Sequence, residues 1–154
     1  MQKDILKKVY LFEDLTSEEL DRVLAIAQKE TRKAEEVVFK EGDVGDKFYV
    51  ILSGEVRVMK PITSLGNEAL AILKPGDFFG EMALIDDSPR SASVVASADT
   101  TLLCITKKDF ESLLFLNKDL AYNLLWTFVR TLSSRLRETN EKLSNFLVMA
   151  RSGF

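Results

Sequence analysis

Gly80-Glu81 and, nine residues after the glutamate, Arg90 within Pro89-Arg90-Ser91 are the residues of this sequence best suited to hold a charged small molecule. Gly80 allows a sharp backbone turn and a close approach, and Glu81-Met82-Ala83-Leu84 can form one short helical turn whose first N–H groups attract anions. Arg90 brings a permanent forked charge able to meet two phosphate oxygens, and the Ser91 hydroxyl can donate once more. That set suits a singly charged phosphodiester. Glu81 would repel an anion, so its place here makes sense if its oxygens accept from sugar hydroxyls while the donors nearby hold the phosphate. A ribose and a phosphate held rigidly adjacent describe a 3′,5′-cyclic nucleotide. Hydrogen bonds to charged groups contribute about 1.5–3 kcal/mol each, so loss of Arg90 should weaken binding by about ten to a few hundred fold. The competing reading is a loop ion pair on the surface, worth little.

The bulk of the chain limits the alternatives. At 154 residues, 46% hydrophobic and 29% charged, it has the size and composition of one globular domain. No apolar run is long enough for a membrane span, and the amino terminus interleaves charge with apolar residues instead of presenting a secretory core, so a cytoplasmic protein is expected. There is no histidine, which removes the usual general base and the commonest catalytic metal ligand; no metal site and no cofactor are expected. Cys104, in Thr101-Leu102-Leu103-Cys104-Ile105, reads as a buried core thiol. A net charge of −3 gives no general positive field for nucleic acid.

The elements that must position these residues can also be read. Thr16-Ser17-Glu18-Glu19 is a capping box, and Leu20, Val23, Leu24 and Ala27 continue at helical spacing to about residue 29. From Val37 the chain carries β-branched and aromatic runs broken by glycines, then Ala69 to Leu73, a Lys74-Pro75-Gly76-Asp77 turn, Ala92 to Ala96 and Thr101 to Ile105. Short, evenly spaced strands predict a small barrel or jelly roll. Thr106 and Asn117 are candidate caps for two closing helices, the second running to about Met149. Within it Leu125, Val129, Leu132, Leu136, Thr139, Leu143, Phe146 and Ala150 follow a 4, 3, 4, 3, 4, 3, 4 spacing, which reads as the seam of a coiled coil between two chains in preference to a stripe packed on its own roll. Thr139 is its one polar member, which invites a second task.

The run GEMALIDDSPRSASV resembles the phosphate-binding cassette of cyclic nucleotide-binding domains. FKEGDVGDKFYVILSGEVRV and KPGDFFGE resemble the strands and turn that precede it, so the likeness spans nearly the whole chain. It implies an α+β fold: an antiparallel, eight-stranded, jelly-roll-like β-roll over residues 36–105 with the cassette at 78–95, an N-terminal helical part (1–35), and C-terminal helices (106–150), the last long and dimer-forming. It also implies that Val58 and Leu70 line the base pocket, although on the residues alone both read as core.

SSRLRETNEKLSNF is similar to the dimerising helix of bacterial catabolite-activator-type regulators, whose arginine, threonine and serine meet the nucleotide. Those positions hold Arg135, Thr139 and Asn140 here. The likeness implies purine contacts from Thr139 and from the partner chain's Asn140. Cyclic AMP is the first candidate and cyclic GMP the second; the Asn140 amide, which both donates and accepts, does not select between the two bases.

The DNA-reading domain of those regulators has no counterpart before Phe154, and Arg130, Arg135 and Arg137 alone do not make a DNA surface. The function expected is a stand-alone, non-enzymatic cyclic-nucleotide receptor that signals through its last helix to another protein, or a fragment of something larger. It would contact neither DNA nor membrane. The alternative is a nucleotide-independent dimerisation module on the same fold. A cupin-like enzyme fares poorly without clustered histidines.

Overall fold

The computed structural model describes residues 2–61 and 67–152, with the side chains of 61–70 outside the described set. Helix α1 (Gln2–Lys8) and a 3₁₀ turn (Tyr10–Phe12) precede helix α2 (Ser17–Ile26). The Thr16 capping box forms as read: its hydroxyl accepts from the Glu19 N–H at 3.2 Å, and the Glu19 carboxylate accepts from the Thr16 N–H at 3.0 Å. The helix stops earlier than its periodicity suggests, because Ala27 is already extended (φ −86°, ψ 146°).

Eight strands follow: β1 (Gln28–Arg32), β2 (Val37–Phe39), β3 (Lys47–Ser53), β4 (Val56–Pro61), β5 (Asn67–Leu73), β6 (Phe78–Phe79), β7 (Ser93–Ala96) and β8 (Thr100–Thr106). They form two antiparallel four-stranded sheets, β1-β8-β3-β6 and β2-β7-β4-β5, so the α+β roll expected from the sequence is the observed fold. Strand β1 lies inside the stretch read as the helical part. Its sequence, Gln-Lys-Glu-Thr-Arg, has no apolar alternation to betray it, and it is held by pairing with β8. Between the sheets Tyr49, Ile51, Val56, Phe79, Val94, Leu102 and Cys104 make the inner core. The larger core lies where α1, α2 and the closing helices pack on the roll, around Leu6, Phe12, Leu20, Phe48, Ile105, Phe110 and Leu124.

Helix α3 (Lys107–Leu116) starts on Thr106, whose hydroxyl accepts from the Asp109 N–H at 3.1 Å. Asn117 behaves differently from the expected cap. Its side-chain amide donates back to the Leu113 carbonyl at 3.0 Å, so it closes α3 and does not cap the next helix through its side chain. Helix α4 (Lys118–Ser152) buries only Leu120, Leu124, Thr127 and Phe128, all in its first third. Farther on, its seam is open: Leu136 is 62% exposed and Phe146 67%. Those residues therefore do not pack on their own roll. Among the described residues no helix is long and apolar enough to cross a membrane.

Candidate ligand-binding site

The Gly80 turn is the pivot of the site. Its backbone sits in the left-handed region (φ 77°, ψ 14°), and the four residues after it, Glu81–Leu84, close a 3₁₀ turn that buries Ala83 and Leu84. A side chain at residue 80 would strain that conformation and bring a Cβ within 2.7 Å of the Arg90 Nη1. The absence of one lets the guanidinium lie against the main chain.

Arg90 is only 9% exposed. Its Nη2 donates to the Lys47 carbonyl at 2.7 Å and its Nη1 to the Gly80 carbonyl at 3.4 Å, while its buried Nε has no partner. Desolvation lowers its pKa from the ordinary arginine value, partly offset by nearby Tyr49 and Asp46. Such a charge, short of water and with no carboxylate in ion-pair contact among the described residues, is suited to an incoming anion. Its main chain is fixed from both sides, the Arg90 N–H donating to the Asp43 carbonyl and the Gly42 N–H to the Arg90 carbonyl, each at 2.8 Å.

A cavity of about 410 Å³ opens here, and Val58, Gly80, Glu81, Met82, Ala83, Arg90 and Ser91 all line it. Phe39, Phe79 and Val94 supply apolar wall that the chemistry-bearing pattern does not single out. Their signal is only that of strand residues, shared with every core position. Leu70 lies on β5, but its side chain is outside the described residues.

Arg135 comes to the site from α4, and what it meets is Glu81: Nη1 to Oε1 at 2.8 Å, across 54 residues of sequence. The glutamate is mostly buried and the arginine half-exposed. This hydrogen bond and charge raise the Arg135 pKa from its ordinary value. Thr139 and Asn140, farther along α4, are exposed and do not line the cavity of this chain.

Residues 29–117 match the sequence profile of the cyclic nucleotide-binding domain, more than half of the chain and nearly all of the roll with its cassette. The chain belongs to the cyclic nucleotide-binding domain family. It is 38% identical over 135 residues to the cyclic AMP receptor protein of Thermus thermophilus, a match covering 86% of this chain and 60% of that protein. A cAMP-dependent protein kinase regulatory subunit of Hypocrea atroviridis is 35% identical over 114 residues, covering 74% of this chain and 24% of that protein. The chain thus spans less than two thirds of the length of these relatives. Among solved structures, the N-terminal domain of a transcriptional regulator from Streptomyces coelicolor superposes with a TM-score of 0.81 at 30% identity, covering 91% of this chain and 95% of that one. The Thermus thermophilus catabolite activator protein gives 0.79 at 31% identity, covering 94% and 72%.

Proposed function

We propose that this member of the family is a non-enzymatic receptor for a 3′,5′-cyclic nucleotide, cyclic AMP before cyclic GMP, which signals through α4. One observation carries the reading: an acceptor, Glu81, and a partly desolvated guanidinium, Arg90, line the same cavity, whose size is ordinary for a small-molecule site. In this reading the ribose 2′-hydroxyl donates to Glu81, the phosphate takes the Arg90 guanidinium, the Ser91 hydroxyl and the amides of the Gly80 turn, and Val58 with Met82 flanks the base. Arg135, already on Glu81, would tie the hydroxyl side of the ligand to α4, and a ligand that favours one placement of that helix shifts its balance in proportion to the unequal affinity.

The exposed seam supports the second half of the proposal, a homodimer along α4 that brings the partner chain's Asn140 and this chain's Thr139 toward the purine. Signalling would then pass to a protein partner in the cytoplasm. Calorimetry with cyclic AMP and cyclic GMP is the test: heat with one or both, lost in Arg90→Ala, is expected, and no heat at millimolar ligand would end the reading.

The same seam also favours a second reading, a module that pairs constitutively and ignores nucleotide. Light scattering and hydrogen exchange on α4 separate the two. An unchanged dimer with unchanged helix protection, with and without nucleotide, selects the module.

A further inference from the structure

Phe39 stands outside the glycine, glutamate and arginine pattern, yet it is the ring on which Arg90 rests. Along β2 and β7, Val37 faces Val95 and Phe39 faces Val94, so one extra residue is accommodated on β2. Such a bulge re-aims side chains. Regular alternation would turn either Val38 or Phe39 outward, but both pack against the inner core. The Phe39 ring reaches beneath the guanidinium, with the Arg90 Cζ 4.0 Å from the ring centroid. The ring is itself set on two others, Tyr49 at 6.0 Å and Phe79 at 5.9 Å, which stack on each other at 5.0 Å.

We propose that Phe39 is a positioning residue for Arg90, its ring face holding the guanidinium flat and shielding one side from water so that the charge meets the ligand's phosphate already oriented. The role rests on the cyclic-nucleotide reading above. A guanidinium is planar and weakly hydrated, so a ring can fix its plane, which a tetrahedral ammonium does not have. The Lys47 and Gly80 carbonyls fix its direction within the plane, and the ring fixes the plane itself. The Nε remains an unpaired buried donor beside Gly45, where a Cβ would come within 3.1 Å of it. Leucine at residue 39 would fill the core comparably but present no ring face, which separates positioning from packing.

The first arm of the test needs no ligand. In NMR of the arginine side chains, the Arg90 Nε–H resonance should be displaced by the ring current in the wild type and in Phe39→Tyr, and return toward ordinary arginine values in Phe39→Leu. The second arm is titration with cyclic AMP and cyclic GMP, with urea unfolding to show that each variant is folded. Phe39→Leu should weaken binding by about five- to thirty-fold, the range of a desolvated cation–ring contact, and Phe39→Tyr should recover most of it. In an Arg90→Gln background the same Phe39→Leu change should alter affinity by less than about twofold, because the cation is gone. Equal losses in both backgrounds, or no displaced resonance, would overturn the role. A wild type that binds while Phe39→Leu binds equally well overturns this role alone, whereas a wild type that binds neither nucleotide overturns the cyclic-nucleotide reading and this role with it.

Discussion

The Glu81–Arg135 pair makes a sharp prediction about the sugar. Glu81 gives one oxygen to Arg135 at 2.8 Å, and a carboxylate has acceptor capacity beyond that single bond. A ribose 2′-hydroxyl can therefore donate to Glu81 without displacing Arg135. A hydrogen bond to a charged, largely buried acceptor contributes about 1.5–3 kcal/mol, so 2′-deoxy cyclic AMP should bind the wild type roughly 10- to 150-fold more weakly than cyclic AMP. In Glu81→Gln the acceptor is neutral and Arg135 has lost its counter-charge, so the two nucleotides should come within about threefold of one another, at the lower end of the ~0.5–1.5 kcal/mol scale of neutral hydrogen bonds. The ion pair itself adds little to stability because Arg135 is half-exposed and solvent screens it. The melting point should therefore barely move, which separates a site effect from unfolding. Competition calorimetry of both ligands against both proteins is the assay. Equal affinity of the wild type for the two nucleotides would refute the assignment of Glu81 to the sugar.

Three other perturbations test separate parts of the structure. Gly80→Ala should lose nucleotide affinity and about 1–2 kcal/mol of stability, since its φ of 77° is strained for any other residue; Gly54→Ala, whose Cβ would lie 2.5 Å from the Asp99 carbonyl, should destabilise without that selective loss, as denaturant curves and titrations would show. Burial pushes the Cys104 thiol from its ordinary 9.0 to about 12 and the Tyr49 hydroxyl from 10.0 to about 12. Both groups keep their protons longer in the folded chain, so the stability they contribute is complete below about pH 9 and drains away as the pH climbs toward about 12; a thiol reagent at about pH 8 should label Cys104 only after denaturant is added. Leu136→Asp, at a seam position 62% exposed in one chain, should yield monomers in light scattering while leaving the roll folded, and a persistent dimer would remove the seam from the interface.

What the sequence discloses is local in character. The capping box needs only Thr16 and Glu19, three residues apart, and the turn at 74–77 closes on its own Asp77, whose carboxylate accepts from the Lys74 N–H. The cassette is legible for the same reason, its short helical turn following directly from Gly80. Signals that depend on distant partners are not. Strand β1 is polar and exists because β8 offers it a ladder, and Phe39 reaches Arg90 only because of a bulge that no alternation pattern announces. Sequence reasoning gives Glu81 and Arg135 each to the nucleotide, but their contact with one another is set by where α4 crosses the roll. Asn117 is ambiguous on type alone, since an amide can accept as a cap or donate backwards, and the end of α3 settles it.

The two backbone bonds that clamp Arg90 between Gly42 and Asp43 have a thermodynamic corollary. The loop carrying the cation is stitched to its neighbour while the polypeptide folds, so its ordering entropy is lost then and not a second time when an anion arrives. The guanidinium is itself held by two carbonyls and the Phe39 ring, so little freedom is left there to lose. If the proposed nucleotide binds there, such a rigid cradle would keep more of its contact energy as affinity, and the proposed response would draw on the part of α4 beyond Phe128, whose seam residues are exposed.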